Sequence, residues 1–127
     1  MTTNHADQQM KDFIAELPLM PEYGSNEWIY DEALDEATTA ALEKLGQYGD
    51  RADCGGAWVV IENARSPFVR FLKSQEIGER HFQGGWKVSL CGGLTTQSRI
   101  VYEASCRAFV AVLKDHGIAA YVYSYAD

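Results

Sequence analysis

The side chains in this 127-residue chain with the strongest nucleophilic and metal-binding chemistry are Cys54, Cys91, Cys106, His5, His81 and His116. None of them forms a Cys-x-x-Cys or His-x-x-x-His pair, so the spacing supplies no set of zinc ligands. A thiolate nucleophile needs a base within hydrogen-bonding reach. Cys54 or Cys91 with His81, all on glycine-flanked loops, is the combination that defines a Cys-dependent enzyme as one alternative. The pairs Gly55-Gly56, Gly84-Gly85 and Gly92-Gly93 lack the spacing that aims successive backbone N–H groups at phosphates. The sequence therefore assigns no catalytic residue, no metal and no cofactor, and the expectation is a protein that is not an enzyme.

Charge is more informative than nucleophiles. Residues 1–53 hold twelve acids and three bases, a net of −9, whereas residues 54–127 hold eight bases and six acids, a net of +2. Clustered carboxylates steer association with basic surfaces and impose sign specificity. The leading expectation is thus a docking surface for a host or viral protein with a basic surface, formed by Asp31, Glu32, Asp35, Glu36 and Glu43. Mimicry of a nucleic-acid backbone is a special case of it. The plainer reading is a solvated helix face salt-bridged to the basic segment.

That basic segment, Arg65 to Lys87, holds five bases and two acids. Arg65, Arg70, Lys73 and Arg80, with Trp86 and the row Tyr121, Tyr123 and Tyr125, define the alternative of a small nucleic-acid-binding module that stacks bases and tracks a backbone. The chain's net charge of −7 opposes a polyanion, which ranks nucleic acid below a protein partner.

The elements that must position these residues follow from hydrophobic period. Ala6, Met10, Phe13, Ile14 and Leu17 share one face of a first helix, capped by Thr3 or Asn4 and stopped by Pro18. Leu34, Ala37, Ala41, Leu45 and Tyr48 predict a second helix from Trp28 or Asp31 to Gln47. Beyond Asp53 the period changes. Ala57 to Ile61 is a β-branched apolar run expected as a central strand. Ser66-Pro67 supplies a cap and a first-turn proline for a short helix through Phe68, Val69 and Leu72, ending near Gly78. Trp86 to Leu90 alternates as a strand, and Ile100 to Leu113 carries the apolar stripe of a helix that starts at Thr96 or Ser98 and has Gly117 as its C′ residue. Ala119 to Tyr125 ends the chain as a strand with its tyrosines on one side.

The expected fold class is α/β or α+β: two N-terminal helices followed by β-α-β-α-β, with a small three-stranded sheet packed with helices and parallel pairing where crossovers permit. One domain is expected over residues 1–127, with an acidic helical part over 1–53 and an α/β core over 54–127. No apolar run approaches the ~18 residues that read as a membrane span. The polar residues Met1 to Met10 lack the pattern of a secretory signal, and three widely spaced cysteines suit a reducing compartment, so a cytoplasmic protein is expected.

The residues Cys54-Gly55-Gly56-Ala57-Trp58-Val59-Val60-Ile61, Ala64-Arg65-Ser66-Pro67-Phe68-Val69, Gly84-Gly85-Trp86, Thr96-Gln97-Ser98, Arg107-Ala108-Phe109 with Val112-Leu113, and Gly117-Ile118 carry a resemblance. Over about Cys54 to Asp127 the chain resembles a family of small uncharacterised proteins encoded by bacteriophages and prophages. The resemblance implies a phage accessory gene acting in the bacterial cytoplasm, and brings no activity to individual residues. With the acidic helices it frames the leading expectation: a small non-enzymatic protein that inhibits a host defence or nucleic-acid-processing system by binding one of its components.

Overall fold

The computed structural model describes residues 21–48, 55–90 and 99–126. Helix α1 spans Asn26–Tyr48. It begins earlier than its apolar period suggests because Ser25 caps it, its Oγ accepting from the Trp28 backbone N–H at 3.2 Å and so satisfying an orphan donor of the first turn. Its buried face is Ile29, Ala33, Ala37 and Ala41, and the alanines at every fourth position form a narrow stripe that suits close packing along another helix. The first expected helix, Ala6 to Leu17, lies outside the described residues.

Strand β1 (Gly55–Ile61) is followed by helix α2 (Pro67–Ser74). The Ser66 cap forms as its sequence predicts, with Oγ accepting from Val69 N–H at 3.2 Å and Pro67 in the first turn. Strands β2 (Glu79–Arg80) and β3 (Trp86–Val88) then make a hairpin. Helix α3 (Arg99–Asp115) ends in a Schellman-type turn, with Ile118 N–H donating to the Leu113 carbonyl and Gly117 at φ +75°, as expected of a C′ glycine. Strand β4 (Ala120–Ala126) completes the sheet.

That sheet corrects the expected layout. It has four strands in the order β2-β3-β1-β4, and every neighbouring pair is antiparallel. The β-α-β crossovers do exist, joining β1 to β2 and β3 to β4, but each pair of parallel strands has an antiparallel strand between its members. This β-α-β-β-α-β arrangement is the split β-α-β, or ferredoxin-like, topology. The unexpected β2 is two residues long, which is too short to leave a periodic signal. The fold is therefore α+β, with three helices and four strands among the described residues.

Alternation along the strands divides the sheet into two faces. Ala57, Val59, Ile61, Val88 and Ala120 join Phe68, Val69, Leu72, Phe109 and Leu113 from α2 and α3 in one buried cluster. Ile29, Ala33 and Ala37 of α1 belong to the same cluster, so the acidic helix is built into the core rather than appended to it. Tyr30 packs edge-on against Phe109 and tilted against Phe71, with centroids 6.0 and 6.3 Å away. Burial raises the Tyr30 phenol above its ordinary pKa, and the neighbouring Asp31 charge adds to the shift.

This shift has a defined sign. The phenol is more readily ionised when unfolded, so its contribution is complete below about pH 10 and is lost as pH rises through the higher folded value. Tyr30→Phe is expected to match the parent in thermal midpoint at neutral pH and to exceed it above about pH 10, checked by melting both across the alkaline range.

Candidate functional site

The face of the sheet opposite the helices is aromatic. The register sets Trp58 beside Tyr123, Val60 beside Tyr121 and Gly56 beside Tyr125, with Lys87 next to Val60 on the other flank. None of these residues belongs to the helix-side cluster. Trp58 is held from both sides: Tyr123 stacks on it at 4.8 Å and 23°, and Lys87 Nζ sits 3.9 Å from its ring centroid. Glu79 holds the same ammonium at 3.3 Å. The indole thus anchors the face rather than offering a free ring surface.

The exposed rings are its neighbours. Phe82 is 70% exposed, Tyr125 41% and Tyr121 37%, which concentrates accessible aromatic surface on this face. Gly56 sets the posture of Tyr125. A Cβ at position 56 would lie 2.5 Å from Tyr125 Oη and 3.0 Å from Cε1, so the absence of a side chain lets the ring lie down across β1. A ring lying on a sheet turns one π-face outward.

His81 joins the aromatic face to a cleft. Its ring packs 4.6 Å from Phe82 and 5.1 Å from Tyr123, and its Nδ1 accepts from Trp58 Nε1–H at 3.1 Å. An indole nitrogen only donates, so Nδ1 carries no proton and the neutral ring carries it on Nε2. Nε2 is buried and has no hydrogen-bond partner among the described residues, an arrangement that costs about 1–3 kcal/mol unless something accepts from it.

The cleft, of about 310 Å³, is lined by Ala64, Arg65, Lys73, Arg80, His81 and the Gly84-Gly85 turn. Gly85 has φ +89°, and a Cβ there would stand 2.6 Å from the Ile61 carbonyl oxygen, so only glycine lets the hairpin loop settle on β1. Arg65 follows an Asx turn in which Asn63 Oδ1 accepts its backbone N–H at 2.9 Å. Lys73 Nζ donates to the Ala64 carbonyl at 3.2 Å and lies over the Trp86 ring at 4.9 Å. No carboxylate lines the cleft, and Arg65, Lys73 and Arg80 make no ion pair among the described residues.

The structure therefore gathers Arg65, Lys73 and Arg80, and separately Tyr121, Tyr123 and Tyr125, with His81 between the groups. Trp86, expected with the tyrosines, stands apart. It pairs with Ile61 on the helix side of the sheet, and its Nε1 donates to the Ile77 carbonyl at 3.0 Å. Arg70 is exposed on α2 and does not line the cleft.

No family model, curated protein or solved structure matches this chain. What the arrangement can do chemically must come from its geometry. The sequence does not single out Trp58 or Phe82 as site residues, and it presents His81 only as a base for a cysteine, not as the partner of an indole. Gly84-Gly85 signals a tight turn after His81, but Trp58 is 23 residues away and its bond to His81 leaves no local trace. Cys54 and Cys91 lie outside the described residues, while Cys106 is buried in α3.

The acidic candidates divide as well. Asp31, Asp35, Glu36 and Glu43 are exposed along α1, whereas Glu32 is half-buried, with Oε2 3.4 Å from His116 Nε2. Among the described residues no ion pair joins these carboxylates to the basic segment. The expected salt bridging is missing because α1 packs with the helix layer, while the cations collect around the β2–β3 hairpin at the sheet edge.

Proposed function

We propose that the protein binds single-stranded nucleic acid without catalysis, using the open face of its sheet. The observation that carries this reading is the set of exposed rings Phe82, Tyr121 and Tyr125 on one face of the sheet, with the cleft cations, which make no ion pair among the described residues, reached around the β2 edge past His81. Aromatic faces accept any base, and cations track the phosphates beside them. A four-stranded antiparallel sheet with aromatics on the face opposite its described helices is also the architecture of a common RNA-recognition module, which supports the reading by analogy.

The net charge of −7 does not oppose this arrangement once the charges are placed in space. The exposed carboxylates of α1 are on the helix side, separated from the aromatic face by a helix layer about 10 Å thick as well as the sheet itself. The Debye length is only about 8 Å at physiological ionic strength. A strand lying on the aromatic face would therefore be shielded from those carboxylates.

Titration with a short oligothymidylate, followed by tryptophan fluorescence, tests the reading. Three to four phosphate contacts predict that log K falls with log salt at a slope of about −2 to −3. Failure to bind at low salt would remove the proposal.

A second reading concerns α1. Asp31, Asp35, Glu36 and Glu43, exposed and without an ion pair among the described residues, favour a docking face for a basic host or viral protein, in keeping with a phage accessory role in the bacterial cytoplasm as an inhibitor. Reversing these four charges is expected to abolish capture of a specific partner from infected or uninfected bacteria. Unchanged capture by the reversed variant would remove that reading.

A further inference from the structure

We propose that the cleft between α2 and the β2–β3 hairpin is a seat for a phosphomonoester, supplied by the phosphorylated end of a bound strand. The source of the phosphate rests on the nucleic-acid reading above; the chemistry of the seat does not. Arg65, Lys73 and Arg80 line one concavity with no carboxylate among its lining residues. Each is positioned from a different element: the β1–α2 loop, α2 and β2. Guanidinium groups present planar forks of donors that match phosphate oxygens, and an ammonium adds a point charge.

His81 also lines the cleft. It is the buried member of the lining, at 4% exposure. The Trp58 bond fixes its Nδ1 as acceptor, which makes Nε2–H a donor and turns it away from Trp58. That buried donor lacks a partner among the described residues. A phosphate in the cleft faces the three cations.

The charge count selects the monoester. Three cations suit a group with about −1.5 to −2 charge and three acceptor oxygens better than a phosphodiester with a single charge. Position agrees with this choice: the cleft lies at the β2 edge of the sheet, where a strand crossing the aromatic face reaches its limit. The ring of Phe82, 4.6 Å from His81, is placed to receive the terminal base. The cleft volume of about 310 Å³ falls at the small end of the range for ligand sites, in keeping with a terminal nucleotide group rather than a larger ligand.

The experiment compares matched oligothymidylates ending in 5′-phosphate, 3′-phosphate or hydroxyl alone, with inorganic phosphate as a separate arm. One phosphorylated end is expected to bind about tenfold to a hundredfold more tightly than the hydroxyl form. Arg65→Ala and Arg80→Ala, both at exposed positions, are expected to erase that preference and also to weaken the hydroxyl form through lost contacts to its phosphates. Phe82→Ala should weaken all three oligonucleotides. If inorganic phosphate binds with dependence on Arg65 and Arg80 but no oligonucleotide does, the seat stands and the nucleic-acid reading fails. Equal affinity for the three oligonucleotides overturns the seat and leaves the nucleic-acid reading intact, and absence of binding in every arm overturns both.

Discussion

Replacing Phe82 and Tyr125 together with alanine is expected to lower affinity for a short single strand by roughly two orders of magnitude or more. Each base–aromatic stack contributes about 1–3 kcal/mol by alanine substitution, so two stacks place about 2–6 kcal/mol at stake. The fold should hardly notice, because Phe82 is 70% and Tyr125 41% exposed and neither ring belongs to the helix-side core. Affinity measured beside a thermal midpoint separates the two effects. Loss of binding with an unchanged midpoint supports the aromatic face, whereas unchanged binding would sink it.

Gly56→Ala offers a subtler form of the same test. The new methyl group meets the far end of the Tyr125 side chain, which can swing away, rather than backbone. Stability should therefore change little while Tyr125 lifts from β1. A fall in affinity without removal of any aromatic ring would show that the posture of Tyr125, and not merely its presence, matters.

The largest expected effect on stability comes from the opposite face. Phe109 is fully buried in the cluster that joins α1, α3 and the sheet, with Tyr30 edge-on to its ring at 6.0 Å. Truncation to alanine removes the ring's burial and leaves a cavity that its neighbours fill only in part, at a cost of about 3–5 kcal/mol. Against a typical total of about 5–15 kcal/mol, Phe109→Ala removes a large fraction of the stability. Urea unfolding should show a lower midpoint with an unchanged slope. A loss below about 1 kcal/mol would mean that Phe109 does not pack as described.

The sequence signals that succeeded were local. Ser66-Pro67 announced α2 and Gly117 the end of α3, since each acts through backbone groups within a few residues. The alternation of Tyr121, Tyr123 and Tyr125 placed them correctly on one side because a strand's side chains repeat every two residues. Strand pairing was harder to read. A helix between two strands implies a crossover but does not say which strand lies between them, and here β3 and β1 fill those places.

Trp86 shows the same limit at the scale of one residue. Its alternation with Lys87 was visible, but the face each takes is set by the pairing of Trp86 with Ile61 and Lys87 with Val60, a relation between distant segments. Composition alone could group tryptophan with tyrosine; only register separates them. In sequence His81 reads as a possible base for a cysteine; among the described residues its hydrogen-bond partner is an indole, which ties its ring to the aromatic face.

The two margins of the sheet have unequal consequences for self-association. At one side β2 offers just Glu79 and Arg80, a short, charged stretch that gives another chain little backbone to copy. At the other, β4 runs for seven residues from Ala120 to Ala126 and, among the described residues, has a neighbour only on its β1 side. Any strand exchange or fibrillar growth in concentrated solution would therefore start along β4. The tyrosine row proposed to receive bases lies on that same strand, so a bound oligonucleotide should also act as a guard against aggregation.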